Sequence, residues 1–67
     1  MPQQQPQSQR LEAIHLLKEE IDRLTEQQTN ALTAATYLGM TTDEDKEYEE
    51  RREKILRYVQ DLKMLEE

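Results

Sequence analysis

Apolar residues recur every three or four positions through the first half of the chain. When Ile14 is given position a of a heptad repeat, apolar residues fill the a and d positions up to Leu38, with Gln28 as the one polar exception. Such spacing is typical of a coiled-coil helix. It predicts a first helix over residues 9–38, capped by Ser8 and about 45 Å long at ~1.5 Å per residue.

A turn interrupts this pattern at Gly39, the only glycine of the chain. Glycine adopts the left-handed backbone that commonly ends a helix, and Met40 is then placed to pack back on the last helical turn. The sequence therefore predicts that the first helix ends at Leu38 and that residues 39–42 form a turn.

A second helix is predicted over residues 43–66. Thr42 is placed to cap it, although the spacings Thr41-x-x-Glu44 and Thr42-x-x-Asp45 both resemble a capping box, which fixes the start to within one residue. Carboxylates in the first turn also favour the positive end of the helix dipole. The apolar positions of this helix are Tyr48, Ile55, Val59, Leu62 and Leu65.

The two apolar stripes can bury each other if the chain folds back at the turn. This predicts an all-α fold, a coiled-coil-like antiparallel two-helix hairpin, in which facing residues have numbers that sum to about 82 to 84 because both helices share one rise. In this register Gln28 faces Ile55. The predicted interaction seam consists of Ile14, Leu17, Ile21, Leu24, Gln28, Ala31, Ala35, Leu38, Tyr48, Ile55, Val59, Leu62 and Leu65.

A chain of 67 residues buries too little surface to be comfortably stable alone. With no cysteine and one histidine, disulfides and a structural metal are removed as supplements, which leaves a second chain. We therefore expect two hairpins to pair as a homodimer in a four-helix bundle, or one hairpin to dock on a partner helix. The candidate outer partner surface comprises Leu11, Leu16, Leu32, Leu56 and Met64.

Net charge argues against nucleic acid as a direct partner. The formal net charge is −6 and 36% of residues are charged, so the basic surface that grips a nucleic-acid backbone is not expected. The absence of cysteine, of a signal-like segment and of a membrane-length apolar run favours an intracellular protein, either cytoplasmic or nuclear. No small-molecule substrate is expected.

Candidate chemical sites are few. Asp43, Asp45 and Glu47 have the spacing that opens a calcium loop, but the glycine position of that loop holds Tyr48 and the closing acid position holds Lys54. A lone histidine is a poor metal site, and no nucleophile stands beside a general base. The sequence thus predicts no enzyme, no cofactor and no metal.

The first nine residues, MPQQQPQSQ, are rich in glutamine and proline and lack any apolar period. Such composition is typical of a flexible linker, which implies something to link. We therefore expect a fragment of a larger scaffold, regulatory or transcription-related protein, with oligomerisation as the function of residues 10–67.

Other interpretations of the same pattern stay open. Across residues 10–66 the architecture resembles the Rho-effector hairpins known as HR1 domains, which implies a module that binds a small GTPase. The low hydrophobicity also fits a segment that folds only on binding its partner. The first helix could alternatively form a parallel dimer with the second splayed away. Gln28 at a seam position indicates either a residue that fixes register or a wet mid-section.

Overall fold

The structure of the protein, a computed structural model, describes residues 6–67, with side chains described from Ser8 onward. It contains two helices, α1 (Pro6–Leu38) and α2 (Thr42–Glu66), which pack against each other. The hairpin is a narrow rod of 57 × 17 × 14 Å. The predicted all-α hairpin is confirmed, and the arrangement with a splayed second helix is not adopted. Within the described residues, neither helix has an apolar stretch long enough to cross a bilayer.

Helix α1 begins earlier than predicted. Its first residue is Pro6, three positions before residue 9, so Ser8 lies inside the helix and is not its cap. Proline suits the first position of a helix because its fixed φ is helical and its missing N–H has no partner to lose there. Residues 1–5 of the predicted linker lie outside the described residues.

The turn follows the prediction at Gly39. Its φ of +76° is left-handed, and its N–H donates to the Ala35 carbonyl oxygen at 2.9 Å, which closes the last turn of α1. Met40, which is expected to pack back on α1, is half-buried.

The cap of α2 is Thr41, and the prediction of Thr42 as the cap is wrong. The Thr41 hydroxyl accepts from the Glu44 N–H at 3.1 Å, while the Glu44 carboxylate accepts from the Thr41 N–H at 2.9 Å. This reciprocal capping box needs a carboxylate long enough to reach back to the cap, which glutamate provides better than the shorter Asp45. Helix α2 therefore starts at Thr42, one residue before the predicted position.

The core is a single stripe between the helices. Only Leu24, 3% exposed, and Gln28, 8% exposed, are buried among the described residues. All other residues of the stripe are half-buried because a lone hairpin leaves the edges of each seam position open to solvent. The fold thus positions one line of apolar contacts and leaves most of both helices uncovered.

Candidate interaction surface

The seam of α1 has a buried centre. Leu24 and Gln28 are buried at adjacent seam positions. The half-buried residues predicted on either side of them are Ile14, Leu17, Ile21, Ala31 and Ala35. Leu38, also predicted in the seam, is 86% exposed. It is the last residue of α1 and lies level with the turn, where α2 has not yet begun and so cannot cover it.

The stripe of α2 lacks one predicted residue and contains two others. Its half-buried positions in the packed region are Tyr48, Arg51, Ile55, Tyr58, Leu62 and Leu65. These follow an unbroken alternation of three and four, as a coiled-coil seam requires. Val59, predicted in the seam, breaks that alternation and is 43% exposed. Tyr58 takes its place, and Arg51 fills a seam position that hydropathy alone does not reveal.

Gln28 and Arg51 form a polar link across the seam, called here the polar clamp. Gln28 Nε2 donates to the Tyr48 carbonyl oxygen at 2.9 Å, and Gln28 Oε1 accepts from Arg51 Nε at 2.6 Å. Both polar atoms of this buried amide therefore have partners on α2. The two bonds satisfy the acceptor and one of the two N–H donors of the amide, and a role of Gln28 in fixing register stays a prediction.

The polar clamp joins Gln28 to α2 residues nearer the turn than its predicted partner. Gln28 lines a groove together with Ile55, its predicted partner, but its hydrogen bonds reach Arg51 and Tyr48, four and seven positions nearer the turn. At the open end of the hairpin Lys18 contacts Glu66, and their numbers sum to 84, within the predicted range.

Polar contacts also join the open end of the hairpin, where α1 begins and α2 ends. Arg10 Nε donates to the Leu65 carbonyl oxygen, and Lys18 Nζ lies 3.5 Å from Glu66 Oε2. These groups are exposed, so solvent screens their attraction and each contributes little to stability.

One ion pair on α1 perturbs the titration of its members. Arg23 donates to the Glu20 carboxylate, with Nε at 3.2 Å from Oε2. This hydrogen bond holds the pKa of Glu20 below its ordinary value; desolvation opposes the shift, and the charge of Arg23 reinforces it. The same hydrogen bond and charge raise the pKa of Arg23.

The outer surface has two sides, separated by the seam. We call one the groove side, because Thr25, Arg52 and Leu56 line an open groove there beside the seam. Leu32 and Val59 lie one heptad from Thr25 and Arg52 respectively, and so on the same side. The opposite side contains Glu20 and Lys54. The five residues of the predicted outer surface, all at least half exposed, are Leu11, Leu16, Leu32, Leu56 and Met64.

The second half of α1 has a feature that the apolar periodicity does not reveal. No charged residue occurs between Gln27 and Thr42, in a chain of which 36% is charged. Along this uncharged segment the threonine hydroxyls bond to carbonyl oxygens four residues back, from Thr29, Thr33 and Thr36 at 3.1, 2.9 and 2.9 Å. These hydroxyls already have hydrogen-bond partners inside the helix, so removing water from the surface they form costs little free energy. A plot of charge along the sequence identifies the segment.

Metal-binding groups are not assembled in the part of the chain that the structure describes. There, no set of three or more His, Cys, Asp or Glu side chains is arranged to hold an ion. His15 Nε2 instead lies 3.3 Å from Glu19 Oε2, one turn along the exposed face of α1. The arrangement that the two helices do build is a surface for packing.

Comparison with known proteins leaves this surface as the guide to function. No family model, no curated protein and no solved structure matches the chain.

Proposed function

We propose that this chain is a non-enzymatic oligomerisation module whose hairpin pairs with a second copy to form a four-helix bundle. The observation that carries the proposal is the imbalance between buried and exposed apolar residues. Leu24 is the one buried apolar side chain among the described residues. The large apolar residues left exposed are Leu11, Leu16, Leu32, Tyr37, Leu38, Leu56, Val59 and Met64.

The shape of the molecule supports the same proposal. A compact domain of 67 residues has a radius of gyration of about 11 Å, whereas this hairpin has 16.1 Å. A compact monomer of 8.0 kDa exposes about 4,450 Å², and this chain exposes 5474 Å². The excess of about 1,000 Å² is similar to the ~800 Å² that each partner contributes to a standard protein interface.

Energetics explains why such an excess matters. Burying one leucine fully is worth about 1.5–3 kcal/mol, and small domains need about 5 kcal/mol or more of net stability after the cost of ordering the chain. A seam whose members are mostly half-buried supplies only part of this. Covering the outer leucines with a second hairpin adds the missing burial, as in bundles built from paired helical hairpins.

Sedimentation equilibrium of the whole chain tests the proposal, together with thermal melting followed by circular dichroism at several protein concentrations. We expect a mass of about 16 kDa, twice that of the 8.0 kDa chain, and a melting temperature that rises with concentration. A helical monomer whose melting temperature is independent of concentration contradicts self-association and favours docking on another protein, as in the HR1-like interpretation. Weak helicity contradicts it as well, and favours folding upon binding a partner.

A further inference from the structure

We infer that the second copy docks on the groove side, with α1 running antiparallel to α1 of its partner about a two-fold axis near Thr29. Residues 30–38 of the uncharged segment then lie level with residues 20–28 of the other copy. In this arrangement Leu32 of each copy enters the groove beside Thr25 and Leu56 of the other. The inference rests on the proposed self-association and assigns its surface.

Electrostatics selects this surface. In a two-fold dimer each patch meets its own copy, so a patch with net charge repels itself. Each chain carries a net charge of −6, which makes most pairings of two copies unfavourable. The α1 part of the groove side is uncharged from Gln27 onward, and on α2 the charges of Glu49 and Arg52 compensate each other at 3.7 Å. Asp22 and Asp45, one heptad from Thr29 and Arg52, also lie on this side. With the axis near Thr29, Asp22 of one copy lies level with the uncharged Thr36 of the other, so like charges do not meet between the two copies of α1.

The opposite side is a poorer surface for a second copy. Its exposed apolar residues include Leu16 and Met64. On the helix surface, neighbours of Leu16 at three or four positions are Glu12, Glu19 and Glu20. Arg23 compensates Glu20, but Glu12 and Glu19 remain, so docking a second copy there brings like charges together and their repulsion opposes association.

The hydrogen bonding of the threonine hydroxyls favours the groove side as well. The hydroxyls of Thr29 and Thr36, which flank Leu32 by three and four positions, are bonded to their own helix. An interface over these two hydroxyls leaves neither in need of a new partner, so their desolvation cost is small. Leu32 is 50% exposed and Leu56 53% exposed, which leaves apolar surface on both helices for the partner to cover.

Four glutamate variants of the whole chain test the surface by sedimentation equilibrium. Leu32→Glu and Leu56→Glu place a charge on the groove side, whereas Leu16→Glu and Met64→Glu add the same charge on the opposite side. All four residues are at least half exposed in the hairpin. We expect the groove-side changes to raise the dissociation constant of the dimer about tenfold or more and the matched controls to leave it within about threefold.

Cross-linking gives a readout that does not depend on how well these variants fold. The chain has no cysteine, so Thr29→Cys and Asn30→Cys each introduce a unique thiol, on the groove side and about 100° away on the same helix. We expect a short bis-maleimide to link two copies through position 29 in high yield and through position 30 in low yield.

The outcomes separate this inference from the proposed function. A wild-type dimer that resists the groove-side glutamates, or that cross-links through position 30 in preference to 29, overturns the assigned surface and leaves self-association standing. A wild-type chain that sediments as a monomer at all concentrations overturns self-association and the assigned surface together.

Discussion

The two halves of the hairpin hold together by different means. The open-end half is apolar across the seam; its facing residues are Ile14, Leu17, Ile21 and Leu24 on α1 and Ile55, Tyr58, Leu62 and Leu65 on α2. The turn-proximal half has small or polar residues; these are Gln28, Ala31 and Ala35 on α1 and Tyr48 and Arg51 on α2. The first half relies on burial, and the second on hydrogen bonds, caps and the geometry of Gly39.

The two halves therefore contribute differently to the free energy of folding and to the choice of helix register. Apolar contacts repeat every heptad and lack direction, so they tolerate a shift of one helix along the other. The hydrogen bonds of Gln28 have direction and match only one alignment of the helices. We therefore expect the open-end half to contribute most of the free energy of folding and the turn-proximal half to select the register.

The largest expected effect is in the open-end half. Leu24→Ala removes the one buried apolar side chain of the described residues and should lower the free energy of unfolding by about 2–5 kcal/mol. Thermal and urea melts followed by circular dichroism measure this loss.

Leu16→Ala is the matched control, because it makes the same change on the same helix at a position that is 56% exposed. Its effect should stay below about 1 kcal/mol. Equal melts for the Leu24 variant and the wild type would mean that the seam is not where the stability lies.

The next largest loss of stability is expected at the polar clamp. Gln28→Ala leaves Arg51 Nε and the Tyr48 carbonyl oxygen without their partner and should cost about 1–3 kcal/mol in urea unfolding. Gln27→Ala, a neighbouring amide that is exposed, should have little effect. If the two variants lose equal stability, the clamp contributes nothing to the fold.

The double variant Gln28→Leu with Arg51→Leu tests whether the polar clamp or the turn fixes the register. It replaces both side chains of the polar clamp by apolar groups, so stability should be retained or rise, while the directional contact is lost. We expect duplicated amide signals in a proton–nitrogen NMR spectrum, one set for each register. A single set of sharp signals would show that the turn alone fixes the alignment.

A smaller effect is expected at the start of α2. Thr41→Ala removes the hydroxyl that accepts from the Glu44 N–H and should cost about 1 kcal/mol in thermal unfolding. Thr42→Ala changes the neighbouring threonine, which lies inside the helix, and should be nearly neutral. If Thr42→Ala lowered stability more than Thr41→Ala, Thr42 would be the cap.

The smallest effect concerns Glu20. Its pKa is lowered in the folded chain, so the stabilisation it provides is present above its unfolded pKa of about 4.3 and is lost as the pH falls through its folded value. The difference in urea midpoint between the wild type and Glu20→Gln should therefore be present at neutral pH and be lost progressively as the pH falls below about 4.3. Glu12→Gln, with the same change of net charge but no hydrogen bond to Arg23, controls for overall charge. A difference that persists in acid would assign the effect to packing.

Periodicity predicts well what depends on the spacing of apolar residues alone. The existence of two helices, their hairpin and the turn at Gly39 follow from the sequence. Val59 and Tyr58 show where this reasoning stops, because hydropathy ranks valine above tyrosine while an unbroken alternation of three and four selects tyrosine. The choice between Thr41 and Thr42 depends on the reach of one carboxylate, which the capping pattern leaves open.

The polar clamp could be foreseen only in part. Gln28 stands out as a polar residue in an apolar repeat, but its partner Arg51 has a charged side chain that hydropathy assigns to solvent. Whether an arginine turns inward depends on an acceptor on the facing helix. That acceptor is known only once the register is known, and the register depends on the residue at which α2 begins.

The left-handed backbone of Gly39 lets the seam close within one chain. A Cβ built at this position meets no atom within 4 Å, so the only obstacle to a side chain is the left-handed φ of +76°. Gly39→Val strongly disfavours that angle and, with it, the reversal. Residues 6–66 would then continue as one straight helix of about 90 Å, whose two stripes only a second such rod can cover. Small-angle scattering distinguishes this exchanged dimer from hairpins that are 57 Å long.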